Sequence, residues 1–379
     1  MKRILITGGA GFIGSRLALK LLSQGYNIVV LDNLSPQVHG DNPKETSPLY
    51  RSIREHVDFI KGSVTSRETL LSVLQGVDAV VHLAAETGTG QSMYDIYNYV
   101  NVNIGGSALL LDILANCSHS VKRIVVAESR AVYGEGRYWS PDLQNYVYPQ
   151  GRLKEDMAKG DFSVKLSNSC HPLQVVATTE DSWLRPNSVY GITKQVQGQL
   201  LHLVCGNIGV ESVSFRYQNV FGPGQSLNNP YTGILSIFST RIKNGNPICI
   251  YEDGLESRDF VYIDDVVDAT ILGLETKNIS GCVFNIGSGV PTTVLTVANT
   301  LKKYYGIDVP VEITGNFRQG DIRHNYADIT HAQQLLGFCP KWSFDDGIKK
   351  FVEWVNTQSV REDKYDASIL ELKNRGLYN

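Results

Sequence analysis

The chain has 379 residues, of which 42% are hydrophobic and 19% are charged, and its formal net charge is −3 at pH 7. This composition is typical of a globular protein with one large domain or two, and it gives no reason to expect nucleic acid or a membrane as partner. The six cysteines are scattered without a Cys-x-x-Cys pair. They predict reduced thiols of a cytoplasmic protein rather than a disulfide framework or a metal site.

A glycine-rich stretch, Gly8-Gly9-Ala10-Gly11-Phe12-Ile13-Gly14, lies between a short apolar run and a segment with helical spacing of apolar residues. Strand, glycine turn and helix are the context that a dinucleotide-binding loop requires. Gly8 allows the tight turn, Gly11 lets the backbone approach a pyrophosphate, and Gly14 lets the helix pack closely on the strand. The phosphates would bind at the helix N-terminus.

Asp32 ends the second predicted strand, 27–32, and is followed by Asn33. An acidic side chain at this position accepts hydrogen bonds from the adenosine ribose and repels a 2′-phosphate, which favours NAD over NADP. The alternative is an ordinary turn aspartate. Residues 35–56 are polar and predict a surface loop with a short helix.

Strands predicted at 56–62, 78–85 and 121–129 alternate with helices that end near Leu74 and extend over 99–116. This alternation predicts a doubly wound parallel α/β sheet, whose ligands bind at the carboxyl ends of the strands. Ala84 and Ser129 lie at such ends, as do Gly8 and Asp32. The long polar and aromatic segment 134–187 contains Pro141, Pro149, Pro172 and Pro186, and we expect it to be an inserted flap beside the site.

Tyr190 and Lys194 have the spacing Tyr-x-x-x-Lys at the start of a predicted helix, so they share one helix face. An ammonium group nearby, with an oxidised nicotinamide, would lower the tyrosine pKa and make Tyr190 a base for a substrate hydroxyl. Ser129 could hydrogen-bond the same oxygen. Alone, such a Tyr–Lys pair is common by chance; its combination with the glycine loop, Asp32 and Ser129 favours the catalytic interpretation.

From Ile4 to about Trp354 the chain resembles the extended short-chain dehydrogenase/reductase family, in its NAD-dependent sugar-nucleotide epimerase/dehydratase branch. Besides the motifs above, the resemblance rests on segments 129–134, 216–223, 258–265 and 285–289, and on Gly106-Ser107 after Asn103. It implies NAD as cofactor, a nucleotide-sugar as substrate, and a homodimer formed through the helices at 105–116 and 193–205.

The resemblance also implies roles for individual residues. The catalytic residues are Ser129, Tyr190 and Lys194. The cofactor-binding residues are Gly8, Gly11, Phe12, Ile13, Gly14, Asp32, Asn33, Ser63, Val64, Leu83, Ala84, Ala85, Asn103, Tyr190 and Lys194. The substrate-binding residues are Thr87, Gly88, Ser129, Arg130, Asn219, Arg258 and Arg323. Asn103 could equally be a buried structural residue, and Arg258 could instead pair with Asp264 or Asp265.

Two departures from the family pattern bear on the reaction. Gly62-Ser63 replaces the usual Gly-Asp, so the adenine contacts are expected to differ. Arg130 and Ala131 replace the acidic pair of the 4,6-dehydratase branch. Because elimination of water needs a general acid, these residues favour redox-neutral epimerisation at C4 over dehydration.

Segment 85–93 and the run that begins at Ser129 are similar to those of dTDP-L-rhamnose 4-epimerases, as are the long insertion and Lys364-Tyr365-Asp366. The expected reaction interconverts dTDP-L-rhamnose and dTDP-6-deoxy-L-talose. Alternatives are another NDP-hexose 4-epimerase, an NAD-dependent 4-dehydrogenase or reductase, and a non-catalytic dinucleotide-sensing protein. We expect a dinucleotide-binding domain over 1–220 and a smaller substrate domain over 221–379, with some segments of the latter returning to the main sheet.

Overall fold

A computed structural model describes residues 1–167, 169–227, 233–318 and 320–359, together with 363, 365, 369 and 370. The strands in this part of the chain are β1 (Arg3–Thr7), β2 (Asn27–Asp32), β3 (Asp58–Lys61), β4 (Ala79–His82), β5 (Arg123–Ser129), β6 (Tyr138–Ser140), β7 (Asn145–Val147), β8 (Gln174–Val175), β9 (Glu211–Tyr217), β10 (Asn219–Phe221), β11 (Ile248–Ile250), β12 (Ser257–Tyr262), β13 (Cys282–Ile286), β14 (Pro291–Thr293), β15 (Val311–Ile313) and β16 (His324–Asn325).

The α-helices are α1 (Phe12–Ser23), α2 (Pro36–His39), α3 (Pro43–Thr46), α4 (Pro48–Ile53), α5 (Arg67–Val73), α6 (Ile96–Tyr99), α7 (Gly106–Asn116), α8 (Lys154–Met157), α9 (Val189–Ile208), α10 (Ile234–Lys243), α11 (Ile263–Glu275), α12 (Val294–Tyr305), α13 (Thr330–Leu336) and α14 (Phe344–Asn356). Short 3-10 turns cover Gln91–Met93 and Arg130–Tyr133, and a π-helical segment covers Val100–Gly105. No helix of the described residues is both long and apolar enough to cross a membrane.

A seven-stranded parallel sheet in the order β3-β2-β1-β4-β5-β9-β13 forms the centre of the molecule. Its strands are apolar on both faces because helices cover both. Ile4 and Ile6 of β1 belong to the core layer that includes α1 and α11, whereas Leu5 belongs to the opposite layer with α5, α7 and α9. The prediction of a doubly wound α/β sheet is confirmed.

The order of the strands reverses between β1 and β4, and the loops after both strands leave from the same edge of the sheet. Open α/β sheets bind their ligands in the crevice at such a reversal, outside the carboxyl ends of the strands. The fold therefore brings together at one edge the residues that follow β1, β2, β4 and β5.

Residues after β9 build two of the smaller sheets in the described part of the chain. Strand β12 pairs with β10 and β16 in parallel and with β14 in antiparallel orientation, and β11 pairs with β15. Strand β13 is an exception because it returns to the central sheet beside β9. The C-terminal third thus contributes strands both to the smaller sheets and to the central sheet.

The insertion 134–187 forms a small antiparallel sheet in the order β7-β6-β8. It is attached to the segment before α13, where Thr178 donates its N–H to Tyr326 and accepts from the N–H of Asp328. Arg152 of the insertion also forms a buried ion pair with Glu252. The segment predicted as a flap is therefore anchored on the C-terminal third of the chain.

Two local predictions differ from the structure. The helix predicted over 99–116 is divided by the π-helical segment Val100–Gly105, in which Asn103 bonds to the backbone of Glu86 and to Thr193. Segments of this kind often mark functional sites. Segment 35–56, predicted as a surface loop with a short helix, folds into three short helices, α2, α3 and α4, and it buries His39.

Candidate active site

A cavity of about 500 Å³ opens at the carboxyl edge of the central sheet. Most of the residues predicted for the site line this cavity: Gly8, Gly11, Phe12, Ile13, Gly14, Asp32, Asn33, Ser63, Val64, Leu83, Ala84, Ala85, Thr87, Ser129, Tyr190, Lys194 and Asn219. Five predicted residues are not part of its wall: Gly88, Asn103, Arg130, Arg258 and Arg323.

At Gly8 and Gly14 the glycine loop passes too close to neighbouring backbone for a side chain to fit. Gly8 has φ of +67°, and a Cβ atom there would lie 2.8 Å from the backbone nitrogen of Ala84. A Cβ atom on Gly14 would lie 2.5 Å from the carbonyl oxygen of Gly8. The loop therefore leads into α1 with bare backbone at the helix N-terminus, which fits the pyrophosphate of a dinucleotide.

Asp32 is held in place by the loops on either side of it. Its carboxylate accepts the N–H of Ala10 at 3.0 Å and that of Leu34 at 2.8 Å, and the side chain is 7% exposed. These bonds hold a carboxylate at the end of β2, where the ribose of a dinucleotide bound on the loop would lie. The residues present thus fit NAD.

His39 is the clearest cavity residue that the sequence analysis missed. Its Nε2 lies 3.7 Å from Asp32, its Nδ1 is 2.8 Å from the hydroxyl of Ser47, and burial lowers its pKa. Ser35-Pro36 is a helix-start signal and could have indicated α2, but it carries no information on the contact between His39 and Asp32. The wall also includes Glu86, Glu128, Gln218 and Phe260, for which no sequence signal was noted.

Ser129, Tyr190 and Lys194 meet on one side of the cavity. Ser129 ends β5, and Tyr190 lies in the first turn of α9, whose N-terminus is capped by the Ser188 hydroxyl accepting the N–H of Gly191. The Lys194 ammonium lies 5.9 Å from the centroid of the Tyr190 ring and donates to the carbonyl of Ala127 at 2.9 Å. The three residues that the sequence separates are thus brought together.

Burial decides the electrostatics of this set. It raises the pKa of Tyr190, and it lowers the pKa of Lys194 to about 8. The interactions that oppose the rise at Tyr190 come from the Ser129 hydroxyl and the Arg130 guanidinium. The lowering of the Tyr190 pKa by the Lys194 ammonium together with an oxidised nicotinamide stays a prediction.

Asn103 and Gly88 lie behind the cavity wall. Asn103 is fully buried; its side chain bonds to the N–H and carbonyl of Glu86 and to the Thr193 hydroxyl at 2.9 Å. It therefore joins the loop after β4 to α9, which is the structural alternative considered for it. Gly88 has φ of +109° and turns the chain after Thr87.

Arg258 and Arg323 are engaged within the protein, which differs from the expectation of guanidinium groups turned towards a diphosphate. Arg258 donates to the carbonyls of Ser257, Ile322 and Arg323, and pairs with neither Asp264 nor Asp265. Arg323 makes a forked contact with Asp253 at 2.7 Å and also contacts Glu252 at 2.9 Å. Planar guanidinium favours such a fork with any planar oxyanion, and here a carboxylate supplies it.

A parallel sheet of this order, with a glycine loop at β1 and a Ser-Tyr-Lys set at the carboxyl edge, defines an enzyme of the short-chain dehydrogenase/reductase class. The model of the NAD dependent epimerase/dehydratase family matches residues 4–153 and 166–287. The chain belongs to this family, and the predictions of the family and of its NAD dependence are confirmed.

Three relatives illustrate the similarity. The chain is 37% identical to the dTDP-L-rhamnose 4-epimerase of Burkholderia thailandensis, over 96% of this chain and 97% of that protein. The UDP-glucose 4-epimerase of Thermotoga maritima, solved with UDP-glucose, has a TM-score of 0.75 and 30% identity over 93% of this chain and 98% of that one. The UDP-glucuronic acid 4-epimerase of Bacillus cereus, solved with UDP-glucuronic acid and NAD, has a TM-score of 0.76 and 27% identity over 93% and 99%.

Proposed function

We propose that the protein is an NAD-dependent nucleotide-sugar 4-epimerase that interconverts dTDP-L-rhamnose and dTDP-6-deoxy-L-talose. The observation that carries the proposal is the meeting of Ser129, Tyr190 and Lys194 on the wall of the glycine-lined cavity. The choice of a dTDP-6-deoxyhexose is supported by the Burkholderia relative, which is similar over nearly its whole length. A UDP-hexose is the second candidate, because the solved relatives bind UDP-sugars.

When bound, NAD would accept a hydride from C4 of the sugar and return it to the other face. Gly8, Gly11 and Gly14 would hold its pyrophosphate, and Asp32 would bind its adenosine ribose. Tyr190 takes the proton from the 4-hydroxyl group and later returns it, while Ser129 hydrogen-bonds to the same oxygen. The net reaction is redox-neutral, and it needs no acid at the positions of Arg130 and Ala131.

The division into 1–220 and 221–379, with 134–187 as a flap, is part of this proposal. The insertion ends immediately before the helix of Tyr190, and its Arg152 bonds to the carbonyl of Asp321. These attachments support a cover that keeps a 4-keto sugar in the pocket and excludes water from it. Shortening the insertion is expected to release keto sugar.

A homodimer also belongs to the proposal. Apolar side chains are exposed on α6, the π-helical segment and α9: Ile96 is 51% exposed, Tyr97 81%, Val100 40%, Ile192 48% and Leu203 67%. Apolar surface of this kind indicates a protein partner, and a second copy would bury it. Sedimentation equilibrium should give twice the chain mass, and Leu203→Glu should reduce it towards the monomer.

The proposed reaction is tested by incubating dTDP-L-rhamnose with the purified protein in deuterated water, without added cofactor, and following the products by NMR. We expect the talo epimer to form with no deuterium at C3, C4 or C5. Deuterium at C3 or C5 would indicate an enolising epimerase, and accumulation of 4-keto sugar with reduced cofactor would indicate a dehydrogenase. Turnover of a UDP-hexose alone would keep the mechanism and overturn the substrate.

A further inference from the structure

His39 is a buried histidine in the cavity wall, and its two ring nitrogens have different surroundings. The side chain is 3% exposed, and its Nδ1 lies 2.8 Å from the hydroxyl oxygen of Ser47. Its Nε2 lies 3.7 Å from Oδ1 of Asp32, which is too far for a hydrogen bond. Buried polar atoms normally have a hydrogen-bond partner, and none of the described residues supplies one to Nε2. Nε2 therefore has an unused hydrogen-bonding position beside Asp32.

The segment between α2 and α4 fixes the position of this imidazole. His39 ends α2, and the Thr46 hydroxyl donates to its backbone carbonyl. Gly40 has φ of +75°, and a Cβ atom there would lie 2.7 Å from the hydroxyl oxygen of Thr46. The next residue, Ser47, is the N-cap of α4. Thr46 thus holds the backbone of His39 and Ser47 holds its ring, and glycine at 40 permits the close approach.

The Ser47 hydroxyl determines which ring nitrogen of His39 bears the proton. Burial lowers the pKa of His39 against the opposing effect of the Asp32 carboxylate, so the imidazole is neutral at pH 7 and has one N–H. The Ser47 oxygen accepts the N–H of Tyr50 at 3.2 Å. If Nδ1 also donated to that oxygen, the hydroxyl proton would have no acceptor among the described residues. Ser47 therefore donates to Nδ1, and the histidine proton lies on Nε2.

The gap between Nε2 of His39 and Asp32 suits a hydroxyl group. The carboxylate oxygens of Asp32 accept the N–H groups of Ala10 and Leu34, and each oxygen has a further lone pair. Because hydrogen bonds are about 2.8 Å long, one oxygen atom can bond to both Nε2 and Oδ1, which are 3.7 Å apart. That oxygen must accept from the N–H and donate to the carboxylate, and a hydroxyl group does both.

We propose that His39 is a specificity-determining residue for the cofactor: its Nε2 donates to the 2′-hydroxyl of the adenosine ribose while that hydroxyl donates to Asp32. In NADP a phosphate group replaces the hydroxyl, so the pair of hydrogen bonds cannot form. The inference concerns NAD, which the family binds, and it is independent of the sugar and of the reaction at C4.

Two substitutions of different length test the donor on Nε2. The side chain of His39→Asn has an oxygen that can accept the Ser47 proton, but it is too short to reach the position of Nε2, whereas His39→Gln places an amide N–H there. Calorimetric titration of the purified protein, freed of nucleotide, measures the dissociation constant for NAD. It should rise about fivefold in His39→Asn, as expected for the loss of one hydrogen bond between neutral groups, and stay within about twofold in His39→Gln.

His56→Asn is the matched control, because His56 belongs to the same segment but is exposed and lies outside the cavity wall. It should leave the affinity for NAD unchanged. An unchanged affinity in His39→Asn would overturn the inference, since an ordered water or no ligand atom at all would then be the partner of Nε2.

An NAD analogue that lacks the 2′-hydroxyl of its adenosine distinguishes a contact from a role in shaping the pocket. The unaltered protein should bind the analogue more weakly than NAD, and His39→Asn should bind the analogue as tightly as the unaltered protein does. An equal loss for both ligands in His39→Asn would contradict the contact. These titrations need no sugar, so a protein that binds as expected but does not epimerise would contradict the proposed function and not the role of His39.

The position of the histidine proton gives a readout without any ligand. In protein labelled with ¹⁵N at histidine, NMR distinguishes the two neutral tautomers, and the His39 signals are assigned by their loss in His39→Gln. We expect the proton on Nε2 at pH 7, and Ser47→Ala should lower the population of that tautomer because it removes the donor to Nδ1. A proton on Nδ1 in the unaltered protein would overturn the inference, whatever the stability of the variants.

Discussion

Strand β5 begins with Arg123 and is followed directly by Arg130, and the two arginines differ in their contacts. Arg123, at the amino end, is 3% exposed and fully engaged: it bonds to Glu211 and donates to the carbonyls of Gly273, Leu274 and Thr276. These carbonyls end α11, where a cation is favourable. Arg130, one residue beyond the carboxyl end, donates a side-chain hydrogen bond to Asn219 and to no other described residue.

The two ends of β5 thus differ: the arginine contacts at the amino end stabilise the fold, whereas the carboxyl end borders the proposed site. At the amino edge every polar group of the arginine is satisfied, so its removal should weaken the fold and leave the reaction alone. At the carboxyl edge the Lys194 side chain is buried and donates to the carbonyl of Ala127, with no ion pair to a carboxylate in the described part of the chain, which burdens the fold. Four substitutions, two of them with matched controls, test this separation.

The largest effect is expected for Tyr190→Phe at the carboxyl edge. It removes the proton acceptor and keeps the ring, so turnover should fall at least 100-fold, in line with the 10²–10⁴-fold contribution of a general base. NAD affinity should change little. Steady-state rates and calorimetric titration measure both, and a variant that retains more than about a tenth of the rate excludes Tyr190 as the base.

Tyr133→Phe is the matched control for that substitution. Its hydroxyl bonds to Asn285 and Arg216, and the ring is 2% exposed. The control should lower the free energy of unfolding by about 1–3 kcal/mol and keep turnover.

The second largest effect is expected on the preference for NAD over NADP. Asp32→Asn removes the charge that repels a 2′-phosphate while keeping the shape of the side chain, so the preference for NAD over NADP should fall at least about tenfold. Asp58→Asn, at the amino end of β3, should leave that preference unchanged. Measured dissociation constants for both cofactors decide it, and tighter binding of NADP by the unaltered protein would contradict the assignment.

Lys194→Met should stabilise the protein while it abolishes turnover. Burial lowers the pKa of Lys194 to about 8, so below that pH the fold bears the cost of a buried ammonium. At about 1.4 kcal/mol per pKa unit the variant should gain about 3 kcal/mol at pH 7.

The size of that gain in stability should depend on pH. Between pH 8 and the ordinary lysine pKa near 10.4, the unfolded chain binds the proton that the folded chain has released, so the stability of the unaltered protein rises with pH. The difference between the two proteins should therefore shrink across this window. Urea unfolding at pH 7 and pH 10 measures it, and a constant difference would show that Lys194 is not buried as an ammonium.

The smallest effect is expected for Arg123→Lys at the amino edge. A lysine cannot reproduce the bonds to Glu211 and to three carbonyls, so the free energy of unfolding should fall by about 1–2 kcal/mol. Turnover should stay within about twofold. A loss of activity without a loss of stability would contradict the purely structural role assigned to Arg123.

The sequence alone was sufficient for the sheet and, in the cavity wall, for the glycine loop, the ends of the strands and the Ser-Tyr-Lys set. Residues such as Gly8, Gly14 and Asp32 have roles set by local chemistry: backbone that only glycine can adopt, and an acid at the end of a strand. The helix that carries Tyr190 could also be predicted, because Ser188 is a capping residue three positions before the N–H that it accepts. Such sequence signals span only a few residues, so they can be recognised without knowledge of the tertiary structure.

Only the tertiary structure decided how the charges are used. Arg323 and Arg258 match diphosphate positions by motif, yet carboxylates and carbonyls brought from distant segments engage them. His39 lies in the cavity wall because α2 places its imidazole beside Asp32 at the end of β2. Burial raises the pKa of Tyr190 and lowers that of Lys194, and burial is a property of the whole fold that spacing along the chain does not determine.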